Sequence, residues 1–277
     1  MGRAVKGGNW VVVSGQWTKR KGRSLGRFLA LDAALACAAC TTFAAAQAAY
    51  RMDSYVTLNG KTQRAFAWCD APDRVLALTK PAKAPSTPQP VTLVRLLKNK
   101  PTKIQTEPYL LGPGDAGAGN LYVSLQPLRK TNIRQNDWFV HSSNVENVND
   151  PAYRMTHIGW INTPIDTAQC RYVPDAAFMG VTAKRTIIIW ENGSKITYAT
   201  RNFDGTPGVS LSGGTRAQND IGPEYTFNTA GYTYLLKFHP HAAFVQVKQG
   251  AQVLQTEPFL AYSISTPLSN PAQQEQP

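Results

Sequence analysis

Four histidines are present, and their neighbours decide what chemistry they offer. His141 precedes Ser142 and Ser143, and His157 follows in Arg154-Met155-Thr156-His157. Imidazole next to hydroxyl is the start of a serine hydrolase, which also needs an orienting acid and a nucleophile on a sharp turn. No Gly-x-Ser-x-Gly occurs. Gly208-Val209-Ser210-Leu211-Ser212 comes nearest, but no helical pattern follows Ser210. His239-Pro240-His241 has the two-residue spacing that puts two imidazoles on one face of a strand. Pro240 favours a turn there, no third ligand stands at a metal-site spacing, and no metal is expected. Asp70 and Asp73 near Arg74, and Glu191 beside Trp190, are candidate carboxylates. A turn and a strand end account for them better, and carboxyl separation, which would assign glycosidase roles, is not read from sequence.

Gly112-Pro113-Gly114-Asp115-Ala116-Gly117 fits G-x-G-x-x-G literally. A dinucleotide site needs a strand before that run and a helix after it, so that the helix N-terminus receives the pyrophosphate. Leu121–Leu125 reads as a strand instead, so no cofactor is expected and the glycines predict a flexible loop. Trp138, Trp160 and Trp190, with Tyr172, Tyr198, Tyr232 and Tyr234, fall at strand positions. Most such rings are core, because they bury so much area. No catalytic residue is assigned. His141, His157, Trp160 and Trp190 are the candidates for ligand contact.

The elements that position these residues follow from patterning. Lys19, Arg20, Lys21, Arg23 and Arg27 precede an alanine-rich apolar stretch, Phe28 to Ala46, and then the small-x-small run Ala46-Gln47-Ala48. That is the order of a secretory signal, so 1–48 is expected to be a signal helix cleaved before Ala49. A retained anchor and a lipidated Cys37 are the alternatives. The net charge of +12 shrinks without the leader, which leaves 22 basic and 16 acidic residues. The basic residues are scattered, so nucleic acid is not an expected partner. Cleavage would remove Cys37 and Cys40. Cys69 and Cys170 would remain, and in an oxidising compartment they should form one disulfide.

After the leader, short alternating runs rich in Val, Ile, Thr and Tyr predict an all-β fold, mostly antiparallel, of sandwich or half-barrel modules. Strands are expected at Ser54–Leu58, Arg64–Cys69, Arg74–Thr79, Val91–Leu97, Leu121–Leu125, Thr186–Glu191, Lys195–Thr200, Tyr232–Phe238, Ala243–Lys248 and Gln252–Gln255. Asn59-Gly60, Asn192-Gly193 and Gln249-Gly250 mark hairpin turns. Gln105-Thr106-Glu107-Pro108-Tyr109-Leu110 recurs as Gln255-Thr256-Glu257-Pro258-Phe259-Leu260. The echo suggests two β-modules, 49–140 and 185–265, joined by a connector at 141–184 and followed by a disordered tail at 266–277.

Trp190-Glu191-Asn192-Gly193, Ile196 to Asn202, and Glu224-Tyr225-Thr226-Phe227 with Gly231-Tyr232-Thr233-Tyr234 resemble exported bacterial β-rich proteins of uncharacterised function. The resemblance lies mainly in the second half. It implies export and sheet structure and carries no site residues across. The expected function is a periplasmic or secreted, non-enzymatic binding protein of the bacterial envelope. Its partner would be an envelope protein, a glycan or an anionic polymer, and no stable transmembrane domain would remain after cleavage. An envelope hydrolase around His141 and His157, or a structural envelope component, are the competing expectations.

Overall fold

A computed structural model describes residues 50–98, 100–128, 138–143, 154–219, 222–239 and 242–267. The expected signal helix, Cys37, His241 and residues 268–277 of the expected tail lie outside the described residues. The described chain is all-β, and every strand pairing is antiparallel. β1 (Tyr50–Leu58), β2 (Lys61–Asp70), β3 (Arg74–Thr79), β4 (Gln89–Leu97), β5 (Lys100–Gly117), β6 (Asn120–Pro127), β7 (Phe139–Ser143), β8 (His157–Thr163) and β9 (Asp166–Gln169) each pair with the next. β10 (Ala176–Val181), β11 (Arg185–Asn192), β12 (Lys195–Asn202) and β13 (Ser210–Ser212) pair in the same way. β19 (Ala261–Pro267) then lies between β10 and β1 and joins the two runs into one 14-stranded sheet. β14 (Thr215–Asn219), β15 (Gly222–Thr229), β16 (Tyr232–His239), β17 (Ala242–Gln249) and β18 (Gln252–Pro258) form a separate five-stranded sheet.

A sheet of fourteen twisted strands curls rather than staying flat. Its β2–β9 half bends until β2 lies against β8 and β9. The Arg171 amide donates to the Asp70 carbonyl at that seam. Inside the curl, Leu76, Leu78, Leu93, Tyr109, Leu111 and Ile161 form a fully buried core. The other half, β10–β12 and β19, packs on β15–β17 as a sandwich around Phe178, Tyr198, Phe227, Leu236 and Phe259. Inward and outward residues alternate along β6 and β7, as a strand with one buried face requires.

The turn chemistry is as the sequence demands. Asn59 and Gly60 both adopt positive φ, 52° and 75°, and close the β1–β2 hairpin. Gly193 and Gly250 take positive φ in the β11–β12 and β17–β18 turns. Three expectations are corrected. Gly112–Gly117 is no loop: it lies within β5, with Gly114 opposite Val123 and Gly117 opposite Asn120, after a register shift at Leu111. A side-chain-free residue fits that bulge, because a Cβ on Gly112 would collide with Ser124 Oγ. The stretch 141–184 does not act as a connector, because it contains β8, β9 and β10 as working members of the large sheet. The repeated hexapeptides share a local setting, each on the second strand of a hairpin, with Tyr109 and Phe259 buried. Beyond it they diverge. The first copy runs on in β5, whereas the second breaks after Pro258 and crosses to the other sheet as β19. Duplicated modules would not end in different topologies.

Candidate ligand-binding face

Cys69, near the end of β2, and Cys170, just past β9, form the expected disulfide, with Cα atoms 4.9 Å apart. That separation sits in the normal range for a bridge. Both cysteines are buried, and the bond fixes the edge strand β9 to β2. A formed disulfide fits an oxidising, extracytoplasmic compartment. Among the described residues, no helix is long and apolar enough to cross a membrane.

On the outer face of the same half, one rung crosses five strands. Asp115 lies opposite Tyr122, Tyr122 opposite His141, His141 opposite Trp160, and Trp160 opposite Gln169. Directly opposed residues share a face, so these side chains form a continuous strip. Tyr122 is 45% exposed and Trp160 38% exposed, high for rings of this size. The Tyr122 and His141 rings stack at 4.6 Å between centroids, and Phe139 meets Tyr122 edge-on at 5.3 Å. His141 Nε2–H donates to Asn120 Oδ1 at 2.9 Å, which fixes the ring. Among the described residues its buried Nδ1 has no hydrogen-bond partner; the ring lies over the backbone of Gly159, where a Cβ would come within 2.7 Å of Nδ1.

One rung further along, Ser143 lies opposite His157, and Ser143 Oγ and His157 Nδ1 share a 2.8 Å hydrogen bond. The His157 ring stacks on Tyr172 at 4.2 Å. Ser142 points inward and is buried. Burial holds the pKa of both imidazoles below the ordinary value, and His141 adds to the effect on His157. At pH 7 both rings therefore favour the neutral form. Among the described residues their hydrogen-bond partners are an amide and a hydroxyl, and no described carboxylate joins them.

The structure thus gathers His141, His157 and Trp160 on one face and leaves Trp190 apart. Trp190 Nε1–H donates to the Pro174 carbonyl, and the ring lines a separate cleft of about 610 Å³ with Tyr50, Arg154 and Lys195. Glu191 is held by Arg154 and the Tyr225 hydroxyl, each at 2.8 Å. Asp70 is held by Lys98, Arg171 and Thr186, and Asp73 by Arg74. The candidate carboxylates are thus engaged in ion pairs. Trp138 and Tyr198 belong to the core. His239 ends β16 and stacks on Phe244, and Ser210 lies on the short edge strand β13. Among the described residues, no three His, Cys, Asp or Glu side chains converge as a metal site. Sequence reasoning missed Tyr122, Phe139 and Asn120. The alternation Asn120, Tyr122, Ser124, Gln126 was a usable signal for the outward face. No family model matches this chain, and no curated protein matches it.

Proposed function

We propose that this chain is an exported, non-enzymatic binding protein of the bacterial envelope whose β6–β8 face stacks on a neutral glycan. The observation that carries this reading is the exposed Tyr122–His141–Trp160 row, flanked by Asn120, Asn162 and Gln169. Aromatic faces take the apolar side of a sugar ring, and amide side chains take its hydroxyls. β6, β7, β8 and β9 contain no Lys or Arg, so an anionic polymer finds no counter-charge on these strands. The disulfide and the basic, alanine-rich leader support export. The Ser143–His157 hydrogen bond favours the hydrolase reading. On the β6–β8 face the same pair adds an imidazole and a hydroxyl as two polar contacts beside the aromatic row.

The test is titration with chitotetraose and with solubilised peptidoglycan glycan strands, followed by tryptophan fluorescence and NMR shifts. Trp160→Ala and Tyr122→Ala should each weaken binding about tenfold, or about 1.4 kcal/mol, with the fold intact. Glycan affinity indifferent to both changes, or no glycan binding at all, would overturn the proposal.

A further inference from the structure

The chain has four methionines, and the three that are described all line one small cavity. They come from distant points in sequence: Met52 on β1, Met155 in the turn before β8, and Met179 on β10. The register explains their convergence. β19 lies between β1 and β10, with Met52 opposite Ser265 and Met179 opposite Ser263. Ser263 and Ser265 are two residues apart and so share a face, which puts both methionines on that face, one on each side of β19. Strands about 4.8 Å apart leave roughly 10 Å between β1 and β10, a gap two long thioether chains can close. Trp68 is fixed at the same place, its indole N–H donating to Ser263 Oγ at 2.7 Å. Met155, Met179 and Trp68 are each less than a tenth exposed.

We propose that Met52, Met155 and Met179, with the indole of Trp68, bind a soft monovalent cation, Cu(I) or Ag(I). Thioether sulfur is a neutral, polarizable ligand that selects Cu(I) over hard divalent ions. An indole face adds attraction for a desolvated cation. The carboxylate on the cavity wall, Asp70, already accepts from Lys98, Thr186 and Arg171, the last of which also lines the cavity with its charge turned to Asp70, so a hard cation finds no free anionic ligand there. The cavity, about 40 Å³, has room for an ion or a few waters and not for an organic molecule. A methionine used only as core filler adapts its three torsions to close a gap. Here three of them leave the gap open, and beside it the Ser265 hydroxyl, across from Met52, is buried without a hydrogen-bond partner among the described residues.

The site is tested on the oxidised full chain with Cys37→Ser and Cys40→Ser, so that no free thiol competes. The probes are Ag(I) alone, and Cu(I) buffered by bicinchoninate without oxygen. One equivalent should bind and quench tryptophan fluorescence, while Zn(II) at the same concentration should do neither. Met52→Leu, Met155→Leu and Met179→Leu conserve side-chain volume closely. Combined, they should abolish binding while near-ultraviolet circular dichroism stays native. If the triple variant does not fold, each single variant should still lower affinity tenfold or more. Absence of one-to-one binding, or single variants that bind as tightly as the parent, would overturn the proposal.

Discussion

The Asp70 side chain has no exposed surface, and three residues from different parts of the fold donate to it. Lys98 follows β4, Arg171 follows β9, and Thr186 sits on β11, at 2.8 Å from Oδ2. Burial pulls the Lys98 pKa down, and Asp70 opposes that pull. Removing one partner of a buried ion pair leaves an uncompensated charge and costs about 3–5 kcal/mol. Asp70→Asn should therefore lower stability by about that much, read from the urea midpoint at pH 7. A change under about 1 kcal/mol would mean that water relieves the cluster. The imidazoles give a pH signature. The folded state lowers the pKa of His141 and His157 from 6.5, so it disfavours their protonated forms. The unfolded chain then binds more protons as pH drops, and stability present above about pH 6.5 is lost below it. The urea midpoint should fall between pH 7 and pH 5. The fall should be smaller in the His141→Gln, His157→Gln double variant.

Several strands are legible in the sequence, including the largely buried β3, whereas β10 and the alternating β7, β8 and β15 are not. Lys195–Thr200 and Tyr232–Phe238 alternate and were read correctly as strands within β12 and β16. All six residues of β10 are buried, so it offers no period-two signal, and it was lost in the expected connector. β5 was lost for another reason: its Gly-Pro-Gly run has turn composition, and only pairing with β6 makes it a strand. The candidate face was half legible. His141, His157 and Trp160 were singled out by residue type, but their adjacency is a matter of inter-strand register, which no local window contains. Gly180 shows how tightly such register is held. It lies opposite Ile187 on one side and Tyr262 on the other, and a Cβ there would approach Phe178, Phe259 and Tyr262 to within 2.6–2.9 Å. Gly180→Ala should overpack this core and cost about 1–3 kcal/mol in the urea midpoint. A neutral result would show that the aromatic cluster can move aside.

At the scale of the whole molecule, the first and last described strands are neighbours. β1 pairs with β19 over seven positions, and β19 also pairs with β10, so the large sheet is complete only when the C-terminal strand is in place. Such long-range pairing carries a high closure entropy and slows folding. The far end of the sheet lacks this support. β9 is a four-residue strand that, among the described strands, pairs only with β8. That end is held against β2 by the Arg171–Asp70 backbone hydrogen bond and ion pair and by the Cys69–Cys170 disulfide, and Asp166 of β9 also pairs with Arg74 of β3 and Arg95 of β4. The bridge closes a loop with a sequence separation of 101. A loop of that size is worth about 4.7 kcal/mol in the chain-entropy model, and losing a native bridge typically costs about 2–5 kcal/mol. Cys69→Ala with Cys170→Ala should therefore lower stability by a few kcal/mol, and the loss should not be uniform. Hydrogen exchange should quicken first in β8 and β9, taking Trp160 out of register with His141 and weakening the proposed glycan binding together with stability. The β15–β17 strands pack around Tyr225, Phe227 and Leu236 in a separate core and should keep their protection in native conditions. Exchange that quickens equally in both halves would show one cooperative unit. In that case the bridge stabilises the whole fold and does not selectively hold the binding face.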